Sequence, residues 1–127
     1  MAVNREPNTP QEAYKAIIDS FVDLMNYNVR ADAVRRPGVY LGWAGERGVK
    51  KFVNSLDASQ RKVLARMLEH ARDGAIHDVA AQLDGWLSGD DICLTFRGKK
   101  IPIDTYATMH YDYVCRREGD EWPDSAK

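Results

Sequence analysis

The stretch MHYDYVCRREGDEWP, Met109–Pro123, gathers more reactive side-chain types than any other part of the chain. His110, Tyr111 and Asp112 can take and give protons, Cys115 can supply a thiolate, and Arg116 and Arg117 match the shape and charge of carboxylates and phosphates. A histidine–acid pair, His77-Asp78, lies upstream. If folding brought His77, Asp78, His110, Tyr111, Asp112 and Arg116 into one cleft, it would hold proton-transfer and anion-binding groups together. Such a cleft suits a small-molecule or nucleotide ligand and, with water in place, hydrolysis. The same run also fits a structural lid: Tyr113 and Val114 seal a core, Arg116 or Arg117 pairs with Asp112 or Glu118, and Trp122 docks back, held extended by Pro123. In a third role, Trp122 and Arg117 anchor an interface, since aromatic residues and arginine dominate binding hot spots.

No catalytic motif is complete. GWAGERGVKK is glycine-rich, but a phosphate loop needs GxxxxGK followed by Ser or Thr directly after a strand; Gly42, Gly45 and Gly48 fall three apart and Lys50-Lys51 lack the hydroxyl. These glycines fit a turn-rich loop instead. His70, His77 and His110 show no i, i+4 pair, and Cys93 and Cys115 form no CxxC, so a metal site would need tertiary convergence. His77-Asp78 is shared with metal phosphohydrolases of the HD type, but the further histidines and acids those need are missing. Asp78 fits the first turn of a helix, where it offsets the dipole. Cys115 lies five residues past His110, a spacing that separates side chains on a helix or a strand. Asp19 and Asp23 fall on the polar side of a helix and Asp90-Asp91 in a turn, so both pairs read as solvated. The expectations are therefore no catalytic residue, no metal and no cofactor.

Positioning these residues requires a set of helices. Thr9, Pro10 and Glu12 form a strong helix start, and Tyr14, Ile17, Ile18, Phe21, Leu24, Met25 and Val29 recur at helical steps, which predicts one long helix to Arg36, broken by Pro37-Gly38. A loop leads into a short helix, VKKFVNSL. Asp57 with Gln60 opens the next helix, which buries Val63, Leu64, Met67, Leu68 and Ala71 and is expected to stop at Gly74. A further helix with Ile76, Val79, Ala80, Leu83, Trp86 and Leu87 on one face would complete a helical pair. Ile92, Leu94 and Phe96 then alternate at period two, RGKK reads as a hairpin turn, and KIPID returns with Ile101 and Ile103 inward; Pro102 marks an edge strand. The tail reads as a short helix capped by Thr108 and stopped at Gly119, with a third strand as the alternative.

The chain of 127 residues fits a single domain, 1–127, with flexible ends at 1–8 and 124–127. A chain this size buries roughly two-thirds of its unfolded surface, so no disulfide or metal is needed. Its 29% charged residues sum to a formal charge of −1, which argues against a generic nucleic-acid binder. The basic clusters Arg35-Arg36, Lys50-Lys51, Arg61-Lys62-Arg66, Lys99-Lys100 and Arg116-Arg117 read as a solvated surface offset by nearby acids. MAVNREPNTPQEAY has neither the basic nor the apolar region of a signal peptide, and no stretch reaches a membrane span, which predicts a cytoplasmic protein with free thiols.

GAIHDVAAQL, the short hairpin and MHYDYVCRREGDEWP together resemble a family of small bacterial hypothetical proteins classed as a domain of unknown function, over about Tyr14 to Pro123. The resemblance implies a fold unit and assigns no catalytic residue, cofactor or reaction. The residues predict a mostly helical α+β domain and favour a non-enzymatic protein-binding, accessory or regulatory module whose partner is another protein or a second copy in a homodimer. A small-molecule or nucleotide pocket around His77, Asp78, His110 and Arg116 is the alternative.

Overall fold

The computed structural model describes residues 6–36, 47–103 and 106–123. The elements run α1 (Pro10–Asn26), α2 (Val29–Arg35), α3 (Arg47–Ser55), α4 (Ala58–Leu87), β1 (Thr95–Phe96), β2 (Lys99–Lys100) and α5 (Met109–Arg117). The class is thus mostly helical α+β, with one small antiparallel sheet among the described residues. The expected loop through Gly42 and Gly45, residues 1–5 of the expected flexible start 1–8, and the expected flexible end 124–127 lie outside the described residues. The chain divides into two compact units, one of Met1–Leu24 with Ile76–Lys127, the other of Met25–Ala75.

In the 25–75 unit the predicted single long helix is corrected to two. Asn28, at φ −105° and ψ 85°, leaves the helical region and caps α2, its Oδ1 accepting the Ala31 N–H at 3.1 Å while its Nδ2 donates to the Leu68 carbonyl at 3.4 Å. Asparagine competes with the helix for backbone partners, and here a buried Asn28 satisfies both ends of its amide by breaking the helix. Ala31, Val34, Val53 and Ala65 form the core of this unit, with Leu64 and Leu68 packed against it. Buried Arg61 donates to the carbonyls of Leu56 and Val34, each at 3.1 Å, and of Arg36 at 3.5 Å, so one guanidinium covers orphan acceptors at the ends of α2 and α3. Asp57 and Gln60 make the expected reciprocal cap, at 2.9 and 2.8 Å.

The expected helical pair is likewise corrected: α4 runs unbroken through Gly74 for 30 residues. A glycine inside a helix costs about 1 kcal/mol relative to alanine, which the flanking Ala71 and Ala75 and the continuing apolar steps outweigh. No proline follows to enforce a stop.

In the other unit, α1 starts as the sequence indicates. Thr9 Oγ1 accepts the Glu12 N–H at 3.2 Å, while the Glu12 carboxylate reaches back to the Asn8 N–H at 2.7 Å. The buried apolar set comprises Ala13, Tyr14, Ile18, Ala80, Leu87, Ile101, Ile103, Met109 and Tyr113. The hairpin turn narrows to Arg97-Gly98, both at positive φ (50° and 79°), the signature of a two-residue primed turn. Lys99, expected in the turn, joins Lys100, the expected first residue of the return strand, opposite Phe96 and Thr95. The Ile101 N–H donates to the Leu94 carbonyl at 2.8 Å, and Ile101 and Ile103 face inward as the alternation indicates. The tail is a helix, with Thr108 Oγ1 accepting the Tyr111 N–H at 3.3 Å. It ends in a Schellman closure at Gly119 (φ 93°), where Gly119 N–H donates to Arg116 O at 3.1 Å and Asp120 N–H to Cys115 O at 3.0 Å.

Candidate functional site

The dense C-terminal run folds against α1 within one unit. Asp112, in the first turn of α5, is buried, and its Oδ2 accepts a hydrogen bond from the Tyr14 hydroxyl. Burial pushes the Asp112 carboxyl above its ordinary value, against the opposing effect of hydrogen bonds from Tyr14 and the Ala107 backbone. Burial, and then the neighbouring carboxylate, hold the Tyr14 hydroxyl far above the usual tyrosine range, so Tyr14 remains a donor. On α4, Asp84 Oδ1 accepts the Met109 N–H at 2.8 Å, tying down the first amide of α5.

One helical turn along α1, Asp19 anchors the tail. Arg116 Nε donates to Asp19 Oδ1 at 2.7 Å and Nη2 to Oδ2 at 3.3 Å, and Trp122 Nε1 donates to the same Oδ2 at 3.2 Å. The third nitrogen of Arg116 reaches the Asp120 carbonyl at 2.8 Å. Its guanidinium lies 5.2 Å from the Trp122 ring centroid, and Lys15 Nζ lies 5.3 and 5.9 Å from the rings of Tyr106 and Trp122. Tyr14 stacks on Tyr106 at 6.1 Å and meets Trp122 edge-on at 6.1 Å, while Tyr106 and Trp122 are 5.1 Å apart. The helical pattern groups Asp19 with the solvated acids. It is instead the fixed point for two side chains of the tail, a role no local sequence signal carries because its partners lie about a hundred residues away.

Two hollows flank α5. The first, of about 240 Å³, is lined by Tyr106, Tyr111, Asp112, Cys115, Arg116 and Trp122. In it a hydrogen bond to Cys115 is the main cause holding the Tyr111 hydroxyl above its ordinary value. The second is shallow and open, lined by His77, Thr108, His110, Tyr111 and Val114. There the rings of His77 and His110 meet edge to face at 5.3 Å. His77 Nδ1 lies 3.3 Å from exposed Asp78, and His110 Nε2 lies 3.4 Å from Thr108 Oγ1. The His110 Nδ1 and the Tyr106 hydroxyl are buried and have no hydrogen-bond partner among the described residues.

Of the six residues singled out as a ligand set, His77 and His110 therefore meet, with Asp78 beside them, on one side of α5. Asp112 and Arg116 line the other hollow and are engaged by Tyr14 and Asp19, while Tyr111 borders both. Arg117, expected to pair with Asp112 or Glu118, takes Glu118 at 2.8 Å and lies 5.9 Å from the Tyr113 ring. Arg116 takes neither of those acids. Cys93 and Cys115 are free thiols, and Cys115 and His110 line different hollows. No group of three or more His, Cys, Asp or Glu placed to hold a metal occurs among the described residues. Nor is any described helix long and apolar enough to cross a membrane. No local sequence signal marks Asp84 or Tyr106 for this site, and the helical pattern shows Tyr14 only as an apolar-face residue.

Fold and site thus define a small, mostly helical α+β protein whose aromatic C-terminal tail is clasped to its first helix. The chain belongs to a family of unknown function (DUF6547), whose model matches residues 7–124. No curated protein and no solved structure shows significant similarity to it.

Proposed function

We propose that this chain is a non-enzymatic protein-binding module. The reading is carried by how its side chains are spent. Groups with chemical potential in the tail commit their polar atoms to the fold, Asp112 to Tyr14 and Arg116 with Trp122 to Asp19. By contrast Val63 and Met67, neighbours one turn apart on α4 and expected to be buried there, stand 58% and 62% exposed. Single exposed apolar residues are ordinary on protein surfaces, but adjacent ones flanked by the charged Lys62 and Arg66 have the make-up of an interface, an apolar centre with a polar rim.

The test is native mass spectrometry of the protein recovered from its host, compared with a Val63→Ser/Met67→Ser variant. The expected result is a stoichiometric protein partner, another copy included, that the variant loses while its melting temperature stays within about 2 °C of wild type. A chain without protein partner but with an extra mass that vanishes on denaturation overturns this reading.

That second outcome would favour a small-molecule pocket, possible because of one specific feature. A buried carboxyl with a raised pKa borders a hollow walled by Tyr106, Tyr111 and Trp122, the combination of apolar lining and perturbed titratable group typical of ligand sites. Asp112→Asn would then abolish the extra mass without unfolding the chain.

A further inference from the structure

The formal charge of −1 conceals a division. Residues 25–75 carry ten Lys and Arg against five Asp and Glu, whereas the rest of the chain carries eight against fourteen. Folding sharpens the contrast in the basic unit. Asp32 and Glu69 both bind Arg35, and Asp57 is used as the cap of α4. Lys50 and Lys51 on α3, and Lys62 and Arg66 on α4, are exposed and have no ion-pair partner among the described residues. Apolar residues are interleaved with them, Phe52 on α3 and Val63 and Met67 on α4.

The acidic unit presents the opposite pattern after α4. Asp90 and Asp91 are exposed, set between Trp86 at 65% and Ile92 at 45% exposure. These acids also stand against their own helix. The last turn of α4 holds no base, so its negative dipole end is followed directly by two more negative charges. Nearby cations would relieve that repulsion.

We infer that two copies of this chain associate head to tail, the basic-apolar surface around Lys62, Val63, Arg66 and Met67 of one receiving the acidic-apolar segment Trp86–Ile92 of the other. This rests on the protein-binding reading and names its partner, a second copy. Opposite charges set the register and raise the encounter rate, and the interleaved apolar groups supply the area removed from water. Each contact pairs unlike surfaces, so a reciprocal two-fold exchange closes a dimer with two such contacts, whereas a one-way repeat gives a ring or a chain.

Light scattering coupled to size exclusion, over a concentration series in about 50 mM and about 500 mM salt, tests this directly, since the higher salt shortens the screening length to a few ångströms. The expected mass exceeds the 14.4 kDa of one chain at low salt and falls toward it at high salt. Lys62→Glu/Arg66→Glu and Asp90→Lys/Asp91→Lys should each be folded and monomeric alone, the second with a melting temperature no lower than wild type because it places cations at the negative end of α4, and should associate when mixed. A wild type that stays monomeric at low salt overturns the inference, as does an oligomer indifferent to salt and to both charge reversals. In either case a different host protein lost on Val63→Ser/Met67→Ser leaves the broader reading standing. A monomer that binds duplex DNA or anionic vesicles through Lys62 and Arg66 overturns both.

Discussion

Asp19 and Arg116, 97 residues apart in the chain, are joined by a two-pronged ion pair at 2.7 and 3.3 Å, and the indole of Trp122 donates to the same carboxylate. Both members are partly exposed, so the pair's Coulomb energy is screened. What it contributes is convergence: one acid on α1 fixes the guanidinium that cradles Trp122. Asp19→Ala removes the acceptor of three hydrogen bonds and should cost about 1–2 kcal/mol. Trp122→Ala should cost more, since it also removes the ring contacts with Tyr14 and Tyr106. Urea unfolding of the two single variants and the double variant checks the coupling; additive losses would show that the carboxylate and the indole act separately.

Asp112 gives stability a pH dependence of known sign. Its carboxyl titrates above the ordinary range because burial disfavours the charge, so the folded state holds the proton more tightly than the unfolded chain. The stability this group contributes is complete below its unfolded value, about pH 4, and is lost as pH rises through the folded value. Measured against Asp112→Asn, which lacks that titration, wild type should lose relative stability from about pH 4 toward neutrality. A difference that grows with pH would instead mean that the carboxylate form is the favoured one.

Tyr14→Phe probes the same bond from the donor side. It leaves Asp112 buried without its side-chain hydrogen-bond donor, and should cost about 1–3 kcal/mol at neutral pH. The loss should shrink as pH falls through the carboxyl's raised folded value and its charge disappears. An equal loss at both pH values would assign the effect to ring packing.

The parts of this architecture legible in the sequence are those with local causes. Thr9, Asp57 and Thr108 cap helices because their side chains reach amides two or three residues away, and Gly119 stops α5 because glycine takes positive φ without strain. Ile101 and Ile103 followed from alternation alone. Breaks decided by distant partners were not legible. Asn28 interrupts the first helix partly for the sake of the Leu68 carbonyl, 40 residues on, and nothing near Asn28 announces it. The clasp fails the same way: Arg116 had two acids nearby in sequence and took a third from α1. Residue type marked the tail as dense in chemistry, but only packing decided that much of that chemistry is directed inward.

Gly74 and Gly119 separate the two fates of a glycine that sequence alone treats alike. Both sit where a helix was expected to end, yet Gly74 lies inside α4 and Gly119 closes α5 at φ 93°. A methyl group added at Gly74 meets nothing within 4 Å, so Gly74→Ala should stabilise the protein by about 0.5–1 kcal/mol through helix propensity and a less disordered unfolded chain. At Gly119 the space is equally open, but the backbone conformation penalises any Cβ, and Gly119→Ala should destabilise by about 1 kcal/mol or more. Thermal unfolding of the two variants is therefore expected to move in opposite directions. If Gly74→Ala lowers the melting temperature, then α4 bends at that position in solution and the helical pair read from the sequence is the better description there.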